Sequence, residues 1–109
     1  MENDKLLGAI GLCRRARALT IGFDGVKDTI LSGKAVLVLY AKDASEGNVR
    51  RIRWMCNEFE CEARCMPLMK QDLAAILHKG VGVMAVTDEN LAVLCRANLP
   101  EGGNKGGNA

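Results

Sequence analysis

The side chains in this sequence that could do chemistry are five cysteines, one histidine, and the run Gly22-Phe23-Asp24-Gly25-Val26-Lys27. Cys13, Cys56, Cys61, Cys65 and Cys95 are odd in number, and four and then three residues separate the middle three, a spacing that fits no zinc or iron–sulfur template. They are expected to serve as small apolar residues, with Cys13 and Cys56 on core-facing helix surfaces. A redox pair of Cys61 and Cys65 on an exposed edge strand is the alternative. No metal and no cofactor is expected. His78 falls in a polar loop and no nucleophile stands in an elbow or triad context, so the sequence argues against an enzyme. The glycines of Lys79-Gly80-Val81-Gly82-Val83 resemble part of a dinucleotide fingerprint, but they precede a strand instead of following one.

The Gly22–Lys27 run has a more coherent chemistry. A glycine-hinged helix start presents free backbone N–H groups to a phosphate, and Lys27, one turn in, adds a cation. The carboxylate of Asp24 can accept from the amino edge of a base. The same residues also fit an ordinary first-turn acid with a solvated lysine, and the residues alone leave both readings open.

Several elements must position this run. Leu6, Ile10 and Cys13 recur at helical spacing from Asp4 to Ala18, with Asn3 or Asp4 as a cap, and the stem of Arg17 is expected to complete the stripe. Arg14, Arg15 and Arg17 then fall at the carbonyl end of that helix, where cations are favoured. Leu19–Ile21 reads as a short extended segment. A second helix runs from Phe23 or Asp24 to Leu31, closed by Gly33. Ala35–Tyr40 is an aliphatic run of the kind buried on both faces of a sheet.

Asp43-Ala44-Ser45 offers caps for a third helix with Val49, Ile52, Met55, Cys56 and Phe59 inward, and Trp54 projects almost opposite. A short strand at Glu62–Met66, a helix at Lys70–Leu77, a strand at Val83–Val86 and a helix from Thr87-Asp88-Glu89 to Ala97 complete the pattern. Alternating helices and short strands predict an α/β fold, a three-layer α/β/α sandwich around a mixed sheet of about four strands. A single domain over residues 1–98 is expected, followed by a disordered Gly/Asn-rich tail over 99–109.

The net charge of +2 is too small for nucleic-acid binding by bulk electrostatics. Its distribution is uneven: through Trp54 cations outnumber anions by four, and beyond it anions outnumber cations by two. An anionic partner is therefore expected on the surface of the N-terminal half. No apolar run is long enough to span a bilayer and the N-terminus is polar, so a cytoplasmic protein with no membrane contact is expected.

Five segments together carry a resemblance: Arg14-Arg15-Ala16, Gly22-Phe23-Asp24, Ser32-Gly33-Lys34-Ala35, Asp43-Ala44-Ser45 and Ala85-Val86-Thr87-Asp88. Over roughly residues 5–95 the chain resembles the bacterial YlxQ-type branch of the ribosomal protein L-seven-Ae family. That resemblance implies a non-enzymatic protein, a monomer when free, that binds kink-turn RNA, with ribosome association and ribosomal proteins as possible partners. Family members read tandem G·A pairs with the start of the second helix, through Gly-x-Asn-Glu-x-x-Lys. The matching positions here are Phe23 for the Asn, Asp24 for the Glu and Lys27 for the Lys, while Gly22 stands one place nearer the lysine than the motif glycine. An aromatic ring removes the amide's donor and acceptor together, so stacking on a base, or inward packing against the first helix, replaces it. The apolar loop that covers the bulged nucleotide corresponds to about Lys79–Val83, including Gly80 and Val81.

The implied RNA-binding residues are thus Arg14, Arg15, Gly22, Phe23, Asp24, Lys27, Lys79, Gly80 and Val81. Arg17 stands where relatives carry the glycine that ends the first helix. Two rival readings use the same fold. In one, Trp54, flanked by Arg50, Arg51 and Arg53, anchors a partner protein. In the other, the chain is the detached substrate-binding domain of an RNA methyltransferase.

Overall fold

A computed structural model of the chain describes residues 2–100. Helices and strands follow in the order α1 (Glu2–Arg15), β1 (Leu19–Ile21), α2 (Phe23–Leu31), β2 (Leu37–Tyr40), α3 (Glu46–Glu58), β3 (Glu62–Cys65), α4 (Lys70–Leu77), β4 (Val83–Val86) and α5 (Glu89–Ala97). The four strands form one sheet in the order β1-β4-β2-β3, with β4 antiparallel to β1 and β2, and β2 parallel to β3. The expected mixed sheet is therefore present. Every side chain of the two central strands is buried, because both sheet faces are covered.

The helices divide into two layers. Leu6, Ile10 and Cys13 of α1, Leu73 and Leu77 of α4, and Ala92 and Cys95 of α5 pack with Leu37, Leu39, Met84 and Val86 on one face. Val26 and Ile30 of α2 and Ile52, Met55 and Cys56 of α3 pack with Val38, Tyr40, Val83 and Ala85 on the other. Burying each such aliphatic side chain contributes about 1.5–3 kcal/mol. Alternate strand residues thus serve opposite layers, which a one-residue register slip would exchange.

Local corrections have identifiable causes. The first helix stops at Arg15 and begins at Glu2, so neither Asn3 nor Asp4 caps it; the Asn3 amide instead donates to the Pro67 carbonyl at 3.1 Å. Arg17 lies outside the helix with φ +59°, the left-handed conformation that glycine adopts most readily, and its side chain is exposed, not part of the apolar stripe. The second strand starts at Leu37, since Lys34 and Ala35 are held by the Thr29 carbonyl that closes α2. Phe59 follows α3 as its C-cap and is 47% exposed, so Ile52, Met55 and Cys56 alone form the buried stripe. Packed chain continues one residue past the expected boundary, with Leu99 only 8% exposed against α5's layer. The tail expectation from 101 onward lies outside the described residues.

Pairing fixes the polarity of the sandwich. Ile21 pairs with Met84, Tyr40 with Val83, and Tyr40 with Cys65, so β1, β2 and β3 all end where β4 begins. Helices α2, α3 and α4 follow those strands and start at that end. At the other end α1 finishes and α5 begins.

Candidate nucleic-acid interface

Four backbone segments meet where α2, α3 and α4 start. Gly22 N–H donates to the Val83 carbonyl at 3.0 Å, Ala41 N–H to Gly82 at 2.8 Å, and Lys42 N–H to Leu68 at 2.8 Å. The Asp43 carboxylate accepts from Lys70 N–H at 2.9 Å and so ties the first turn of α4 to the end of β2. Between these segments lies a cleft of about 240 Å³ lined by Gly22, Ala44, Ser45, Asn48, Lys70 and the loop from Lys79 to Val83. Among the described residues, two lysines and no carboxylate line it.

Glycine is required at one point of this cleft. Gly22 has φ +91° and ψ 154°, a region that only glycine occupies without strain, and it leaves α2 with no side-chain cap on its first-turn N–H groups. Helix α3, by contrast, is capped by Ser45, whose hydroxyl accepts from Asn48 N–H at 3.4 Å.

A second groove, of about 390 Å³, runs between α2 and α3 and is lined by Lys27, Arg50, Arg51, Trp54 and Met55. Phe23, next to Gly22 of the cleft, is covered by Arg51 of the groove. Its ring packs, half-buried, against the α2–α3 core layer, and the Arg51 guanidinium lies 4.7 Å above the ring centroid. Phe23 therefore does turn inward, but against the α2–α3 layer and not against the first helix. Arg51 already covers one face of the ring.

The structure brings Gly22, Phe23, Asp24, Lys27, Lys79 and Gly80 to one end and one flank of the molecule, with Asp24 exposed on the first turn of α2. Val81 lines the cleft, but its side chain is 4% exposed and belongs to the α1–α4–α5 layer, so the loop turns backbone and Lys79 outward more than apolar side chain. Arg14 and Arg15 close α1 beside Ala18 and Thr87, at the opposite end of the sheet from Gly22. Arg14 Nη1 donates to the Ile76 carbonyl at 3.0 Å. Trp54 is 65% exposed, as its helical phase requires. Of its three arginine neighbours, Arg53 turns away, donating to the Tyr40 hydroxyl at 2.6 Å, while Arg50 and Arg51 line the groove.

No family model matches the chain. Among curated proteins it is 33% identical over 88 residues to RNA-binding protein YlxQ of Bacillus subtilis (strain 168), a match spanning 76% of this chain and 83% of that one. The chain belongs to the YlxQ family. Its fold recurs in a Bacillus halodurans protein of unknown function, with a TM-score of 0.79 and 24% identity over 86% of this chain and 95% of that one. A Giardia lamblia 15.5 kDa RNA-binding protein shares the fold with a TM-score of 0.74 and 18% identity, over 89% of this chain and 83% of that one.

The motif alone misses three residues of this YlxQ-family chain: Lys70, Ser45 and Asn48 in the cleft. Lys70 carries a signal, because a cation at the first position of a helix stands against the helix dipole. The cysteines supply no chemistry to either groove. Cys61 and Cys65 lie four residues apart along extended chain, about 13 Å, whereas a disulfide needs Cα atoms within about 7 Å, so the redox pair is ruled out. Cys13 and Cys95 bring their sulfurs to 3.7 Å inside the core. The Cys95 thiol is pushed up by its hydrogen bond to Cys13 and by burial, Cys56 by its hydrogen bond to Cys61 and by burial, and Cys65 by burial. Cys61, the other partner of the Cys56 contact, moves down. No group of three metal-ligating side chains occurs among the described residues, and no helix among them is long and apolar enough to cross a membrane.

Proposed function

We propose that the protein is a non-enzymatic RNA-binding protein that takes a kinked, kink-turn-like RNA at the end of the sheet where α2, α3 and α4 begin. The observation that carries this reading is the carboxylate-free cleft in which Lys70, Lys79 and the uncapped first turn of α2 converge. Of the helices that start there, α3 is capped by Ser45 and α4 by Asp43 and Asp72, so α2 alone offers uncapped N–H groups, and phosphate is the group that such an end accepts. Gly22, Gly80 and Gly82 let a sugar–phosphate backbone approach closely. Lys27 supplies a cation one turn further along α2, and Asp24 can accept from a base amino group. Relatives named for RNA binding support the same partner.

The reading is tested by titrating a labelled kink-turn RNA against a straight duplex of equal length across salt concentrations. Tighter binding of the kinked RNA is expected. Lys27→Ala should weaken binding evenly across RNA sequences and reduce the salt slope by about one. Equal affinity for the straight duplex would remove the kinked substrate from the reading, and no binding to either RNA would end it.

A further inference from the structure

We propose that the groove between α2 and α3 is a second RNA contact, a platform on which an unpaired base of a strand leaving the kink stacks against Trp54. This rests on the RNA reading above and adds a different element of RNA to it. Trp54 presents a large apolar ring to solvent, where burial inside the protein would have been the favoured use of it. Around the ring stand three cations, Lys27, Arg50 and Arg51, with Met55 as the floor, and no carboxylate among the described residues lines the groove. Its volume of about 390 Å³ falls within the range of pockets that hold small planar ligands. An aromatic face bordered by cations is the arrangement that binds single-stranded nucleic acid without regard to sequence. A partner protein docking on Trp54 would need its own carboxylates to meet those cations, so the charge favours phosphate.

Helices α2 and α3, with their N-caps, carry residues of both the cleft and the groove. Arg51 lies over Phe23, the first residue of α2, and Gly22 before it lines the cleft. From Ser45, which lines the cleft, to Trp54 is nine residues of α3, about 13 Å. A strand with stacked bases covers that distance in roughly four nucleotides. Arg50 and Arg51 stand along the way.

Trp54 is the only tryptophan in the chain, so its fluorescence reports the contact directly. The probes are one kink-turn RNA with blunt ends and two versions extended by six unpaired adenosines, one on either strand. One extended RNA is expected to bind roughly five- to 100-fold more tightly than the blunt one and to quench Trp54. Trp54→Ala should abolish that gain while leaving blunt-RNA affinity and melting temperature unchanged, and Trp54→Phe should retain part of the gain. Equal affinity for blunt and extended RNAs, or equal quenching by both, would overturn the platform and leave the kink reading standing. Failure of the blunt RNA to bind would instead overturn the reading beneath it.

Discussion

The two ends of the sheet carry similar numbers of cations but opposite helix polarity. Arg14 and Arg15 sit on the last turn of α1, where exposed carbonyls favour positive charge, and Arg14 bonds the Ile76 carbonyl near the end of α4. Their charge is answered within the protein. Lys70 and Lys79 instead line the cleft where α2, α3 and α4 begin: Lys70 stands on the first turn of α4, where Asp43 and Asp72 accept from Lys70 N–H and Met69 N–H, and Lys79 follows the end of that helix. Two lysines in a cleft lined by no carboxylate among the described residues suit an anion, which a count of arginines along the sequence does not reveal.

Charge reversal should break this comparison with the largest effect. Lys70→Glu with Lys79→Glu is expected to weaken kink-turn binding by about two orders of magnitude at moderate salt and to flatten the salt dependence by about two phosphate contacts. Arg14→Glu with Arg15→Glu, which changes net charge equally, should alter affinity by a factor of about three or less while lowering the melting temperature. Electrophoretic mobility-shift titrations of both double variants at matched salt decide the matter. Similar losses in the two would show that only net charge matters and that the ends are equivalent.

A smaller effect concerns how α2 is set against β1. A Cβ at Gly25 would lie 2.7 Å from Thr20 Cγ2, closer than packing permits, so glycine lets the helix carrying Phe23, Asp24 and Lys27 sit directly on the strand. Gly25→Ala gains some helix propensity but overpacks this contact, and a net loss of about 1–2 kcal/mol is expected, read as a fall in melting temperature of about 4–8 °C per kcal/mol. RNA affinity should drop with it. Thr20→Ser removes the obstructing methyl, so the double variant should recover most of both losses. No recovery would assign the damage to another contact.

Much of the architecture around these sites is legible in the amino-acid sequence. The helix at Lys70–Leu77 and the strands at Leu19–Ile21 and Val83–Val86 have the residue limits that apolar runs indicate, with Gly22 and Gly82 bounding the two strands on one side. The exposure of Trp54 follows from its phase on α3. Strand order is another matter. Placement of β4 between β1 and β2 is long-range, and without it the Lys79–Val83 loop could not be placed beside Gly22. The burial of Val81 is hidden for the same reason: an apolar residue in a glycine loop reads as exposed until the core beneath it is known. Arg51 over Phe23 likewise depends on α2 and α3 lying side by side, which no local pattern encodes.

The smallest expected effect lies at the far end, at Arg17. A residue with a Cβ at φ +59° carries about 1–2 kcal/mol of backbone strain that glycine lacks. Glycine in turn gives the unfolded chain more freedom, which costs about 0.5–1 kcal/mol. The difference favours Arg17→Gly by roughly 0.5 kcal/mol, a rise of about 2–4 °C in melting temperature for a chain of this size. Kink-turn affinity should not move, because Arg17 follows α1 at the end of the sheet remote from the cleft. Calorimetric melting of the variant beside a single RNA titration reads both quantities. A lower melting temperature would mean that the Arg17 side chain stabilises the carbonyl end of α1 by more than its backbone costs. A loss of affinity would instead show that RNA reaches both ends of the sheet, and the polarity argument for a single binding end would fail.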